Sequence, residues 1–122
     1  MAGSKRMKIV IVGPCASGTT TLSQNLRERG YDAHPCAQEH SYVPDMWRMS
    51  EPDVLVYLDA TMETIRRRRE VSWGEAHLAQ ENARLAHARE HCDLYIPTDE
   101  LTPEQVVRRV EGFLAARERA GG

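Results

Sequence analysis

Two glycines five residues apart, Gly13 and Gly18, with Thr19 and Thr20 directly after them, form the pattern in this chain best suited to chemistry. The stretch Val12-Gly-Pro-Cys-Ala-Ser-Gly-Thr-Thr-Thr-Leu22 follows a β-branched run and opens a segment with helical spacing. A phosphate-binding loop reads glycine, four residues, glycine, lysine, then serine or threonine. Gly13 and Gly18 stand at its glycines, Thr20 holds the final hydroxyl position, and Thr19 stands where the lysine belongs. The spacing has a direct purpose. Glycine lets the backbone turn and approach a phosphate closely, successive amide hydrogens converge, and the dipole of the following helix adds positive potential. None of this needs the lysine. Pro14, Cys15 and Ala16 would line the loop through their backbones, Ser17 through its hydroxyl or its backbone alone, and the Thr20 hydroxyl is a candidate ligand for Mg²⁺.

Other residues would have to supply the missing positive charge. Only Lys5 and Lys8 are lysines, and every basic residue after position 8 is arginine. Lys8 begins the first strand, about 16 Å from the loop at roughly 3.3 Å per residue. Lys5 lies farther back, and Arg27 and Arg29 fall at the far end of the first helix. Arg48 and the run from Arg66 to Arg69 remain. Four consecutive arginines on a helix cannot share one face, so Arg66 and Arg69 are the better lid candidates. The competing reading, which is preferred, is a solvated surface with i,i+4 pairs Glu63–Arg67 and Arg66–Glu70.

Glu39 follows the second strand and is the candidate acid. It would hold Mg²⁺ through water or act as a base toward a substrate hydroxyl, against an equal expectation of an ordinary surface acid. Asp59 ends another strand and is read as a helix cap. Cys15 lies near the helix dipole, which would depress its pKa, but small-residue packing is preferred. His87, His91 and Cys92 lack a fourth ligand and are read as structural rather than metal-binding. Tyr42, Met46, Trp47, Met49 and Trp73 are assigned to core packing or a homodimer contact ahead of base stacking.

The elements that must carry these residues alternate. Lys8–Val12 is a continuous β-branched run suited to a buried parallel strand. Residues 19–29 carry Leu22 and Leu26 at helical spacing, with Gly30 as the stop signal. Residues 31–38 are a weaker strand interrupted by Pro35, residues 40–51 a loop with one or two helical turns, and residues 54–58 a second clear strand. Residues 61–70 read as helix. Ser72 and Glu75 spell a capping box before a long helix to about His91. Residues 94–96 form a short strand. Thr102-Pro-Glu-Gln105 is another capping box, opening a last helix that buries Val106, Val107, Val110, Phe113 and Leu114. Alternation of this kind predicts an α/β fold of three layers with a parallel sheet of about four strands in the order 2-1-3-4. The crevice then lies beyond the first strand, where the loop is.

With 122 residues and a net charge of −2, the chain is expected to be one domain over residues 8–117, flanked by a flexible arm at 1–7 and a tail at 118–122. Near-neutral charge argues against a diffuse nucleic-acid surface. The four-residue run Ile9–Val12 is too short for a signal or membrane segment. Three scattered cysteines fit reduced thiols, so a cytoplasmic location is expected.

The loop, Pro52-Asp-Val-Leu-Val-Tyr-Leu-Asp59 and His91-Cys-Asp-Leu-Tyr-Ile-Pro-Thr-Asp99 together resemble the nucleotide-kinase-like branch of the P-loop NTPases, from about Lys8 to Leu114. The resemblance implies a strand ending in aspartate that leads to an arginine-rich lid, and binding of ATP or GTP with Mg²⁺. The sequence departs from that branch in lacking the loop lysine, one strand and most of a substrate-binding insertion. Two expectations follow: a nucleotide- or phosphate-binding protein with weak or absent phosphotransfer, or a small kinase with arginine in place of lysine.

Overall fold

The computed structural model describes residues 7–121. The expected arm at 1–6, with Lys5, and the final glycine lie outside the described residues. Met7, counted with that arm, packs against the core.

Four parallel strands form one sheet: β1 (Lys8–Val12), β2 (Asp32–Pro35), β3 (Val54–Asp59) and β4 (Leu94–Pro97). Their order is β2-β1-β3-β4, as expected. The central strands β1 and β3 are buried on both faces, and their side chains alternate between two cores. Ile9, Ile11, Val54, Val56 and Leu58 face helices α1 (Thr19–Glu28) and α5 (Pro103–Gly121). Val10, Val12, Leu55 and Tyr57 face Trp47, Leu85 and Ala88. Pro35 sits on the edge strand β2, where its missing N–H interrupts no inner ladder.

The end of α1 follows its sequence signal closely. Gly30 takes φ +94°, its N–H bonds Arg27 O, and the Tyr31 N–H reaches back to Leu26 O, the paired bonds of a Schellman motif. The Thr102 box is also realised. The Gln105 N–H donates to Thr102 Oγ1 at 3.1 Å, and the Thr102 N–H to Gln105 Oε1 at 2.9 Å.

Several expectations need correction. The helix expected over residues 61–70 is α2 (Met62–Arg68), capped by the Thr61 side chain on the Thr64 N–H. Asp59 is therefore not its cap. The Asp59 carboxylate accepts the Ala60 N–H and the Tyr95 hydroxyl instead. The box at Ser72 does not form. Helix α3 (Glu75–Arg84) begins after Gly74 without a side-chain cap, because Trp73 is held outside it against the Ala60, Met62, Ile65 and Leu78 cluster. The long helix to His91 is divided at Leu85, where one N–H is shared between Glu81 O and Asn82 O before α4 (Ala86–His91) continues. Phe113 is only partly buried. Helix α5 runs to Gly121. Among the described residues no helix is long and apolar enough to cross a membrane.

Candidate functional site

The carboxyl ends of β1, β3 and β4 and the segment after β2 converge on one cavity of about 470 Å³. Residues Cys15 to Thr20 form one side of it. This is the crevice that the 2-1-3-4 order creates where the chain reverses direction across the sheet.

The loop is held from below. Gly13 lies so close to β3 that a Cβ there would stand 2.3 Å from Leu58 O and 2.5 Å from Ser17 Oγ. Gly13 and Pro14 do not line the cavity. Gly13 allows the close approach to β3, and the Pro14 carbonyl accepts the Ser17 N–H at 3.1 Å to close the turn. Ala16 takes φ +65° and Gly18 φ +107°, so the chain reverses its curvature twice before the helix. For Gly18 that conformation is free of steric cost, whereas for Ala16 it is strained. The N–H groups of Gly18, Thr19 and Thr20 open α1 and have no carbonyl one turn back to bond. Ser17 is 2 % exposed, and its Oγ is buried without a hydrogen-bond partner among the described residues. A buried polar atom without a partner is uncommon and calls for a ligand or a strain account.

The acid wall comes from two places. Gln38, fully buried, donates to Val43 O and Arg84 O and accepts the Trp47 N–H, which pins the segment after β2. That pinning sets Glu39 and His40 on the cavity. The Glu39 side chain is 13 % exposed, so it is not an ordinary surface acid. Its Oε1 has no partner among the described residues, and burial pushes its pKa up from the ordinary carboxylate value. Glu81 of α3, also fully buried, accepts the Cys15 N–H at 3.0 Å through one oxygen and the Cys15 thiol at 3.0 Å through the other. Burial and this carboxylate push the Cys15 thiol up to about 12, the reverse of the depression the helix dipole alone would give. Cys15 is a neutral thiol at pH 7.

The arginine run divides. Arg69 lines the cavity. Arg66 does not, and its guanidinium lies by Gly74. The shared-face argument fails because α2 ends at Arg68 and Arg69 is extended, with φ −154°. Arg68 is the better connected residue. It donates to Ala16 O at 3.0 Å, Thr98 Oγ1 at 3.1 Å and Thr98 O at 2.6 Å, clamping the loop to the end of β4. Thr98 Oγ1 in turn donates to Asp59 O. Neither Glu63–Arg67 nor Arg66–Glu70 forms an ion pair among the described residues. Glu70 lies beyond the helix end, and Arg67 bonds Thr64 Oγ1. Arg48 pairs with Asp45 and stays off the cavity.

The remaining candidates lie off the cavity. Trp47 is buried and donates through Nε1 to His87 Nδ1 at 3.1 Å, while His91 bonds the His87 carbonyl. The His87, His91 and Cys92 set is thus engaged in local contacts. Tyr42 and Met49 are exposed.

Thr98, His40 and Glu81 escaped the sequence reading, and Arg68 was passed over within its run. For Glu81 a signal existed: Leu78, Glu81 and Leu85 are spaced three and four apart, which places the acid on the apolar stripe of its helix. No protein-family model matches the chain, and a search of curated proteins gives no match. The fold and the cavity define a parallel α/β protein with a glycine-bounded loop at its switch point.

Proposed function

We propose that this chain binds a phosphate-bearing nucleotide at the loop Gly13 to Thr20, as a member of the nucleotide-kinase-like branch of the P-loop NTPases, and transfers phosphate weakly or not at all. The observation that carries the reading is the set of free N–H groups that opens α1 at Gly18, Thr19 and Thr20, residues that line the cavity. An anion there satisfies them. Leu101, Pro103 and Val106 give the same cavity an apolar wall suited to a nucleobase face. Thr20, exposed at the mouth, offers a hydroxyl to Mg²⁺, and Glu39 offers a carboxylate on the same cavity for one of its waters. Bound Mg²⁺ would neutralise phosphate charge.

Weak transfer follows from Thr19. Phosphoryl transfer depends on positive charge aimed at the moving group, and the loop supplies only amide dipoles. Arg69 on the cavity favours a second reading, a kinase in which arginine takes the lysine's part. Arg68 is less suited to that part, since its donors engage protein carbonyls and Thr98.

A thermal-shift panel of ATP, GTP and their diphosphates, with and without Mg²⁺, tests the binding. At 100 times Kd a ligand adds about 2.7 kcal/mol of stability, an easily read rise in Tm. No rise with any nucleotide at millimolar concentration removes the proposal. If the parent releases phosphate at all, Glu39→Gln is expected to abolish the release while leaving the nucleotide shift in place. Unchanged turnover in that variant takes Glu39 out of the chemistry.

A further inference from the structure

The strongest anomaly outside the phosphate reading is Glu81. A carboxylate with no exposed surface is normally paired with arginine or lysine. Among the described residues Glu81 has neither. Its partners are the Cys15 N–H and thiol, and His77 Nε2 at 3.1 Å. His40 completes the group from the other wall, with Nε2 at 3.7 Å from Cys15 Sγ. The three ligand atoms of Cys15, His40 and Glu81 all lie within 4.8 Å of one another. Beside them the Glu39 carboxylate adds another acidic group, 3.6 Å from His40 Nε2 through one oxygen and with the other buried and partnerless. The cluster holds two carboxylates, a thiol and two imidazoles, and among the described residues no lysine or arginine is bonded to any of those side chains.

We propose that Cys15 Sγ, His40 Nε2 and Glu81 Oε2 form a site for a borderline-soft divalent cation, Zn²⁺ above all, with its fourth position open to the cavity. The donor set of one thiolate, one imidazole and one carboxylate is zinc chemistry and is unsuited to Mg²⁺, which takes oxygen ligands. The spacing agrees. Tetrahedral zinc with bonds of about 2.3 Å to sulfur and 2.0–2.1 Å to nitrogen holds those atoms roughly 3.6 Å apart, close to the separation seen. Cys15 Sγ and Glu81 Oε2 need to part by about 0.5 Å to admit the ion. His77 would orient the Glu81 carboxylate by its own hydrogen bond, and the Cys15 N–H fixes the other oxygen. His40 is half exposed, which leaves an entry path. On binding, the Cys15 thiol proton leaves to solvent and the thiolate takes the metal.

The test uses Co²⁺ as the spectroscopic stand-in, with the full chain reduced and free of nucleotide, so that its outcome is separate from that of phosphate binding. A near-ultraviolet thiolate-to-cobalt band and visible bands of tetrahedral strength are expected to saturate at one equivalent and to be bleached by Zn²⁺. Cys15→Ser should remove the thiolate band. The double variant Cys36→Ser/Cys92→Ser should keep it. Glu81→Gln and His40→Ala should each weaken cobalt binding by at least tenfold, and His40→Ala, at a half-exposed position, keeps the test decisive if Glu81→Gln does not fold. No thiolate band at millimolar cobalt, or a band that survives Cys15→Ser, overturns the site.

Discussion

Thr19→Lys is expected to tighten binding of a nucleoside triphosphate by roughly 10- to 100-fold. A charged donor to phosphate is worth about 1.5–3 kcal/mol, and each 1.4 kcal/mol is about tenfold. Thr19 lines the cavity at the first position of α1, so a lysine side chain there starts at the loop and has the groove to extend along. The backbone contact it must keep is the acceptance of the Ser23 hydroxyl by Thr19 O, which no side-chain change removes. Without ligand the variant should be slightly less stable than the parent, by about 0.3–1 kcal/mol, because a cation opposes the dipole at a helix N-terminus. Gain with nucleotide and loss without it is a signature that nonspecific charge would not give. If Arg69 already serves the phosphate, the new lysine competes for the same oxygens, binding improves little, and any turnover falls. Calorimetric titration of both proteins, with phosphate release measured alongside, separates the two outcomes.

Gly13→Ala is expected to cost about 3 kcal/mol of stability and most of the phosphate affinity. The new Cβ would stand 2.3 Å from Leu58 O and 2.5 Å from Ser17 Oγ. Ser17 can rotate, but Leu58 O belongs to β3, and moving it strains the register that pairs Val12 with Tyr57. Overpacking a close-packed site costs typically about 1–3 kcal/mol, and the backbone neighbour puts this case at the upper end. Relief would come from lifting the loop off the sheet, which spreads the amides that the anion needs. Urea denaturation reads the first effect, and the nucleotide-induced rise in Tm reads the second. A variant within 0.5 kcal/mol of the parent would mean that the loop does not sit as tightly on β3 as described.

The two effects rest on features of different legibility. Gly13, Gly18 and the run Lys8–Val12 could be read directly, because a buried β-branched strand followed by two spaced glycines has few structural meanings. Gly30 and the Thr102 box were readable for a similar reason. Local hydrogen bonds within a few residues decide those ends, and no distant partner intervenes. The sheet order came from placing the second and third strands on opposite sides of the first, which puts the loop at the switch point.

What stayed hidden depends on contacts far apart in sequence. The Ser72 box has the right residues but loses to the anchoring of Trp73 against the cluster at Met62 and Leu78. Arg68 is indistinguishable from its neighbours by type. Only the early end of α2 and the position of Thr98, thirty residues away, select it. Glu81 meets the loop across sixty-six residues, so its partner could not be guessed even though its place on an apolar stripe was visible. Gln38 looks like a loop residue, yet it is fully buried and pins the segment that carries Glu39 and His40.

The central claim is that the amides of the loop hold phosphate, and the backbone amide resonances of that loop report it most directly. In a titration of the uniformly ¹⁵N-labelled chain with ATP and Mg²⁺, the largest ¹H–¹⁵N shift changes should fall on Ala16, Ser17, Gly18, Thr19 and Thr20. Inorganic triphosphate should reproduce them, and adenosine should leave them in place. Shifts spread over the surface, confined to the exposed arginines of α2, or absent at millimolar nucleotide would contradict the account and leave the loop as a structural turn.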